Sequence, residues 1–248
     1  MFYSFARSGG TLVNQLLGVH PQCLVLSEVN PAASFKPVAE QAIEWLELAS
    51  PGEADELDRM PYRRQVALLR ERAAQRGKTL VVRDWVTVNF LPNAADCVAP
   101  SGRLEQQVYL EGAGLEQTPM VVTRKAAAVY KSIVGNFTQL RDLAIDAFAD
   151  AYLAYARAVA AFPRIHLESL RANPEAGVAQ LIGHFQLDPA HAATMLRDFH
   201  EFRKCTGNTT LQGRGGSAQA RRVLPPEDSP APAHPVLAEG DRILGYEG

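Results

Sequence analysis

The sequence predicts an α/β fold with a mainly parallel sheet flanked by helices. Five short apolar runs alternate with segments whose apolar residues recur at helical spacing, an order typical of a parallel sheet covered on both faces. A glycine-rich turn joins the first run to the first helix, as in folds that bind anions at a helix N-terminus. With 248 residues and 47% hydrophobic content, the chain is large enough to bury one such core.

The composition narrows the expected partners and location. A formal net charge of -2 gives no general attraction to nucleic acid or to an anionic membrane, so we expect neither as a partner. The three cysteines form no C-x-x-C pair, which argues against a disulfide scaffold or a zinc knuckle. No signal segment and no apolar run of about 18 residues is evident, so the expected location is cytoplasmic. The sequence does not indicate an oligomeric state.

The turn after the first strand is a candidate anion site. The strand is predicted over Phe2 to Phe5, and a helix begins after the turn, with apolar residues at helical spacing up to Gly18. The turn offers glycines that admit a ligand to the backbone, a permanent cation and two hydroxyls: Arg7, Ser8, Gly9, Gly10 and Thr11. No lysine precedes Thr11, so the turn differs from a nucleotide triphosphatase loop. The alternative is an ordinary tight turn with Arg7 facing water.

Two acids follow the next predicted strands. Cys23 to Leu26 is the second strand, with Glu28 just beyond it, and Lys78 to Arg83 is the third, followed by Asp84 and Trp85. The carboxyl ends of parallel strands face the ligand crevice, so both acids are candidates for the site. Glu28 is alternatively only a helix cap, and Asp84 equally fits the magnesium-binding strand of a phosphoryl transferase.

The remaining chain supplies a second candidate anion site. Helices are predicted from about 36 to 77, and 86 to 117 reads as a long functional excursion rather than framework. The fourth strand, 118 to 123, ends at Arg124, and the helix that follows it carries Ser132 eight positions later, so the two side chains can grip one phosphate. The alternative is a surface arginine and a mid-helix serine bonded to its own backbone.

The last third of the chain is predicted to be mainly framework. It comprises a long helix at 141–162, a fifth strand at 164–167, a helix capped by Asn173 and a further helix at 189–202. His166 has no second histidine at ligand spacing and is predicted to be packed rather than to bind metal. Five prolines between 225 and 235 predict a semi-rigid tail.

Three blocks resemble the sulfotransferases that use 3′-phosphoadenylyl sulfate (PAPS). The run A-R-S-G-G-T-L-V-N-Q-L-L, followed by H-P and L-V-L-S-E, is similar to the family's first block, whose loop typically reads P-[KR]-S-G-[TS]-T. Arg124 and Ser132 repeat its R-x7-S block, and the segment from Leu167 resembles its later strand, loop and helix. Ala6 replaces the proline and Gly10 a threonine, so one hydroxyl contact to the 5′-phosphosulfate is missing or comes from the backbone.

The resemblance implies the sulfotransferase fold, a relative of P-loop nucleotide kinases, over 1–224. Insertions at about 30–117 would bind the acceptor, and 225–248 would be a Pro-rich tail. The implied reaction is in-line transfer of a sulfuryl group from PAPS to an acceptor hydroxyl or amine, which leaves adenosine 3′,5′-bisphosphate and needs no metal. The expected acceptor is a small molecule or carbohydrate-like compound that the sequence does not identify.

The resemblance also assigns roles. Backbone amides of the loop through Leu12 would bind the 5′-phosphate, Arg7 the bridging oxygen, and Arg124 with Ser132 the 3′-phosphate. Glu28 would be the general base, with Asp84 in reserve and Trp85 beside it at the acceptor. The family's C-terminal R-K-G triplet is absent, so only Arg214 is carried over to the 3′-phosphate.

Two rival functions remain open. A magnesium- and ATP-dependent phosphotransferase is favoured by the loop and by Asp84 but lacks the P-loop lysine. A catalytically silent nucleotide-binding module would keep Arg124 and Ser132 and would not need Glu28.

Overall fold

A five-stranded parallel sheet forms the centre of the molecule. The computed structural model describes residues 1–95, 98–207 and 234–246. The strands are β1 (Phe2–Ser4), β2 (Cys23–Val29), β3 (Thr79–Asp84), β4 (Met120–Thr123) and β5 (Arg164–His166). Their order in the sheet is β2-β3-β1-β4-β5. Phe2 pairs with Arg83 on one side and with Met120 on the other, so the first strand is the middle strand.

Helices cover both faces of the sheet. In chain order they are α1 (Gly10–Gly18), α2 (Val38–Glu40), α3 (Ala54–Arg59), α4 (Tyr62–Gln75), α5 (Glu105–Glu111), α6 (Ala126–Asn136), α7 (Ile145–Ala158), α8 (Leu167–Ala172), α9 (Pro174–Phe185), α10 (Ala192–Asp198) and α11 (Pro235–Ile243). A π-helical turn, Gln41–Trp45, continues α2, and 3-10 turns lie at Pro51–Glu53, Val86–Asn89, Thr138–Leu140, Pro189–His191 and Phe199–Glu201. The α/β class and the mainly parallel sheet are thus as predicted.

Two cores lie on opposite faces of the sheet because successive strand side chains alternate in direction. Phe2 and Val122 point into the core shared with α1 and α9. Tyr3 and Val121 point into the larger core shared with α4, α6 and α7. α1 and α9 therefore lie on one face of the sheet, and α4, α6 and α7 lie on the other.

Several helix boundaries follow local sequence signals. Asn173 accepts a hydrogen bond from the Ala176 backbone nitrogen, and Pro174 is the first residue of α9, as predicted. The helix predicted at 141–162 is shorter, since α7 spans Ile145–Ala158 and a 3-10 turn precedes it.

The prediction of an excursion without framework over 86–117 is wrong for its first part. Val86, Phe90 and Leu91 belong to the larger core. Their apolar spacing does not match a regular helix because the backbone makes a 3-10 turn at Val86–Asn89.

The C-terminal segment also differs from the predicted tail. Residues 208–233, which include Arg214 and most of the prolines, lie outside the described residues. Pro235 instead begins α11, a position where its fixed φ suits a helix. Leu237 and Leu244 are buried, and Gly240 lies so close to Tyr152 of α7 that a Cβ there would be 3.1 Å from its ring. Residues 235–246 are therefore part of the folded domain.

Within the described ranges, no helix combines the length and hydropathy needed to cross a membrane.

Candidate functional site

The turn between β1 and α1 is shaped by two residues in the left-handed region. Arg7 has φ 68° and Gly9 has φ 95°, and the Ser8 backbone nitrogen donates to the Phe5 carbonyl at 3.0 Å. A Cβ at Gly9 would lie 2.7 Å from Leu167 Cδ1, so both backbone conformation and space require glycine there. The N-terminus of α1 consequently opens at the carboxyl edge of the sheet. Its unpaired N–H groups and helix dipole favour an anion.

Gly10 is required for a different reason. A Cβ at this position would lie 2.1 Å from Ser4 Oγ and 2.9 Å from Arg83 Nε. The space beside the loop where the resembling family has a threonine is thus filled by Ser4 and Arg83. Of the other loop residues, Ser8 is buried and Leu12 packs partly buried against the core on the α1 face.

The two predicted anion sites meet. Arg7 Nε donates to Ser132 Oγ at 2.8 Å, and Arg124 Nη1 donates to the Arg7 carbonyl at 3.3 Å. Burial and then the charge of Arg124 lower the pKa of Arg7, while Glu28 opposes this effect. Two cations and an anionic side chain therefore converge at one edge of the sheet. Like charges held this close favour a bound anion between them.

The turn that carries Arg124 is held by α7 and by the C-terminal segment 235–246. Tyr152 donates its hydroxyl to the Arg124 carbonyl at 2.8 Å, and Asp241 accepts from the Ala126 backbone nitrogen at 2.8 Å. His166 packs against the Tyr246 ring with centroids 4.4 Å apart, and its Nδ1 lies 2.8 Å from the Thr123 hydroxyl. The segment 235–246 thus supports the turn that carries Arg124.

Glu28 lies on a β-bulge opposite Arg83. β2 pairs with β3 at Leu26 and again at Val29, so two residues oppose one, and Glu28 has φ 49°. Arg83 Nη2 donates to Glu28 Oε1 at 2.7 Å, and the two side chains are only 6% and 14% exposed. The predicted strand end at Leu26 is three residues early, but the bulge still turns Glu28 toward the loop.

Arg83 was missed by the sequence reasoning. The signal that was available is a permanent cation on an otherwise apolar strand, one residue before Asp84.

Thr206, close to the end of the described range 98–207, links the loop to β2 and β3. Its carbonyl accepts from Arg83 Nη1 at 3.1 Å and from the Thr11 hydroxyl at 3.5 Å. Its backbone nitrogen donates to Ser27 Oγ at 3.0 Å. No motif marks Thr206 in the sequence, because these contacts join residues that are far apart in the chain.

Gln41 stabilises the bulge through hydrogen bonds of its side-chain amide. Its side-chain Oε1 accepts from the Ser27 backbone nitrogen at 2.7 Å. Its Nε2 donates to the carbonyls of Ser27, at 2.9 Å, and Lys36, at 2.8 Å. The side chain is fully buried at the start of the π-helical turn, and sequence periodicity treated it as an ordinary helix residue.

Asp84 is buried and lies close to Glu28 along the sheet. Asn30 Nδ2 donates to Asp84 Oδ1 at 2.7 Å, and Oδ2 has no hydrogen-bond partner within the described residues. Burial raises the pKa of Asp84 to about 8, although the Asn30 bond lowers it. Asp84 is therefore largely protonated at neutral pH. Trp85, which follows it, has a ring contact with Phe35 at 5.3 Å between centroids.

The fold is similar to two solved sulfotransferase domains. One is the sulfotransferase domain from the Synechococcus PCC 7002 olefin synthase, with a TM-score of 0.61 and 16% identity over 99% of this chain and 94% of that domain. The other is the sulfotransferase domain from the curacin biosynthetic pathway, with a TM-score of 0.57 and 16% identity over 99% of this chain and 97% of that domain. No family model and no curated protein matches the sequence. At this identity the likeness shows the P-loop-like sulfotransferase fold, as the sequence predicted.

Proposed function

We propose that this chain belongs to the PAPS-dependent sulfotransferases and transfers a sulfuryl group from PAPS to an acceptor hydroxyl or amine. The observation that carries the proposal is the hydrogen bond from Arg7 to Ser132, together with that from Arg124 to the Arg7 carbonyl. These contacts join two anion-binding elements that are distant in sequence. A ligand with two separate anionic groups could use both elements at once, and PAPS carries such groups at its 5′ and 3′ positions. The similarity to solved sulfotransferase domains supports the same conclusion.

The residues of the chain divide the binding task. The N–H groups at the start of α1, from Ser8 to Leu12, would hold the 5′-phosphate, with Arg7 beside the bridging oxygen. Arg124 and Ser132 would select the 3′-phosphate. PAPS, when bound, supplies an activated sulfuryl group, so the chain needs only to position the reactants, stabilise charge and accept one proton.

Glu28 is the proposed acceptor of that proton. Its Oε1 is held by Arg83, whereas its Oε2 has no hydrogen-bond partner within the described residues. A carboxylate with one oxygen fixed and one available suits a general base that must be oriented. Arg83 acts here as a positioning residue, because it holds Glu28 from the adjacent strand.

The rival phosphotransferase is less well supported. It would need Asp84 as a magnesium ligand, and Asp84 is fully buried, bonded to Asn30, and largely protonated because burial raises its pKa to about 8. A magnesium ligand must be a carboxylate that the ion can reach.

Ligand-induced stabilisation tests the choice of nucleotide. Adenosine 3′,5′-bisphosphate at 100 times its Kd would stabilise the folded state by about 2.7 kcal/mol. That corresponds to a rise of roughly 5–10 °C in Tm for a domain of this size. We expect the rise without magnesium, and a smaller one with adenosine 5′-phosphate. A response only to ATP with magnesium would contradict sulfuryl transfer and support the phosphotransferase.

A second experiment separates an enzyme from a silent binding module. Glu28→Gln is expected to keep the thermal response to the bisphosphate. It should no longer release the bisphosphate from PAPS in the presence of a panel of sugars, phenols and alkanols as acceptors. Wild-type turnover in this variant would eliminate Glu28 as the base. No turnover in the wild-type chain with any acceptor, despite tight bisphosphate binding, would support the silent module.

A further inference from the structure

We propose that the aromatic pair formed by Phe35 and Trp85 binds the acceptor, and that the acceptor is an uncharged alcohol whose hydroxyl is attached to an apolar carbon skeleton. The proposal rests on the proposed function, because it takes the bound molecule to be the sulfuryl acceptor and places the pair beside the proposed base.

Phe35 exposes an unusual amount of apolar surface. Its side chain is 60% exposed, the highest value among the large hydrophobic residues that the structure describes as exposed. A single exposed phenylalanine is common on protein surfaces, so exposure alone indicates little. The argument depends on where this ring is held.

The backbone fixes Phe35 to Glu28. The Phe35 nitrogen donates to the Glu28 carbonyl at 3.1 Å, and Ser34 forms an antiparallel bridge with Val29. After the turn that begins at Asn30, the main chain therefore runs back to the bulge and places Phe35 beside Glu28. Gln41 strengthens this return, since its amide bonds both Ser27 and Lys36.

Trp85 approaches from the adjacent strand. Its backbone nitrogen donates to the Val29 carbonyl at 3.2 Å, and its ring meets that of Phe35 edge-on, with centroids 5.3 Å apart and planes at 65°. Edge-to-face rings at this distance attract each other and keep a defined orientation. Glu28 and Val29 are thus bonded through their carbonyls to the two residues that form the aromatic pair.

The proposed base and the charged groups that adjoin the pair in sequence are paired or neutral. Arg83 is bonded to Glu28 at 2.7 Å, and Lys36 is bonded to Glu40 at 2.6 Å and to Glu44 at 2.8 Å. Asp84, which precedes Trp85, is largely protonated because burial raises its pKa. Two rings flanked by these paired or neutral groups favour an apolar or aromatic skeleton. A sugar would require several hydrogen-bond partners, whereas these two side chains offer only the indole N–H of Trp85.

Trp85 provides a direct binding signal. The sequence has two tryptophans, Trp45 and Trp85, so Trp45→Phe leaves Trp85 as the sole indole reporter. In this background, with saturating adenosine 3′,5′-bisphosphate, we would titrate octan-1-ol and, separately, glucose, and follow indole emission. We expect a saturable change with octan-1-ol and none with glucose at equal concentration.

Two further variants test the role of the pair. Phe35→Ala should weaken the octan-1-ol response at least about tenfold, because the ring loses its apolar contact with the ligand. Tyr109→Ala, at a ring that is 45% exposed on α5, is the matched control and should leave the response unchanged. If Trp45→Phe lowers Tm, the change in indole emission is compared between the wild-type chain and Phe35→Ala, both of which retain Trp45.

The outcomes separate this proposal from the proposed function. Saturation by glucose but not by octan-1-ol would overturn the acceptor class. No octan-1-ol response, or an equal response in Phe35→Ala, would overturn the aromatic site. If the bisphosphate still raised Tm in that case, the nucleotide proposal would stand. A saturable octan-1-ol response lost in Phe35→Ala, without any bisphosphate shift, would support the aromatic site and contradict the nucleotide proposal.

Discussion

The side-chain amide of Gln41 forms both main-chain hydrogen bonds of Ser27, the residue before Glu28. At a β-bulge the extra residue loses its partner on the neighbouring strand, and a buried backbone group without a partner is costly. Gln41 supplies the partner that β3 does not. The strained backbone at Glu28 is therefore held by a residue from a π-helical turn on another element.

Replacing this amide should loosen the bulge. Gln41→Leu preserves much of the side-chain volume but leaves the Ser27 N–H and C=O buried without partners, so we expect a loss of about 2–4 kcal/mol in the free energy of unfolding. Urea denaturation measures it. Gln75→Leu is the matched control, because Gln75 lies exposed on α4 and its side chain donates to Glu71 at 3.4 Å. Equal effects of the two substitutions would contradict a role for Gln41 in holding the bulge.

The ion pair between Arg83 and Glu28 should be strongly coupled. Both side chains are mostly buried, so Arg83→Met leaves a carboxylate without its partner and is expected to cost about 3–5 kcal/mol. Adding Glu28→Gln should recover much of that loss, since the buried charge is then removed as well. Urea unfolding of the two single variants and the double variant measures the coupling.

A more exposed pair provides the comparison. Arg72 and Glu53 lie 2.6 Å apart, with side chains 29% and 34% exposed, so Arg72→Met should cost less than Arg83→Met. For the buried pair, additive effects of Arg83→Met and Glu28→Gln on the free energy of unfolding would contradict coupling between the two side chains.

The stability of the protein should decrease with pH because of Asp84. Burial raises its pKa to about 8, whereas an unfolded aspartate has a pKa near 4. Between these values the folded state holds a proton that the unfolded state releases, so the contribution of this carboxyl to stability is lost as pH rises from about 4 to about 8.

Asp84→Asn removes this titration and retains an acceptor for Asn30. We expect the variant to gain Tm relative to the wild type as pH rises from 5 to 8, by at least about 3 °C, since one unit of unequal titration is about 1.4 kcal/mol. Differential scanning calorimetry at the two pH values checks this. A difference in Tm between Asp84→Asn and the wild type that stays constant between the two pH values would refute the burial argument.

Ser132 should discriminate between nucleotides. Ser132→Ala removes the hydroxyl that accepts from Arg7 and that we assign to the 3′-phosphate. We expect roughly tenfold weaker binding of adenosine 3′,5′-bisphosphate, equivalent to about 1.4 kcal/mol, with little change for adenosine 5′-phosphate. Isothermal titration measures both.

Ser169→Ala provides the control for this substitution. Ser169 is an exposed serine on α8, and its replacement should alter neither affinity. Equal losses for the two nucleotides in Ser132→Ala would assign Ser132 to loop positioning rather than to the 3′-phosphate.

The parts of the candidate site that the sequence predicts are those encoded locally. The loop from Arg7 to Thr11 and the spacing between Arg124 and Ser132 each fit within one strand–helix unit, so residue order alone indicates their arrangement. The structure brings these units together through Arg7 and Ser132.

The parts that were missed depend on contacts between distant segments. Arg83, Gln41 and Thr206 act through partners in other elements, at separations that no motif fixes. The bulge at Glu28 was also missed, because an inserted residue in a strand leaves no periodic signal. Proline content suggested an irregular C-terminus, whereas Pro235 is the first residue of a packed helix.

The central position of β1 has a consequence for how the molecule forms. β1 must wait for β3 and β4, both of which follow it many residues later in the chain, before either of its edges is paired. Closing such long loops costs entropy before any non-local contact is gained, so we expect slow folding with apolar strand edges transiently open to self-association. A chaperone that shields nascent chains should therefore raise the yield of this protein in a cell-free translation system.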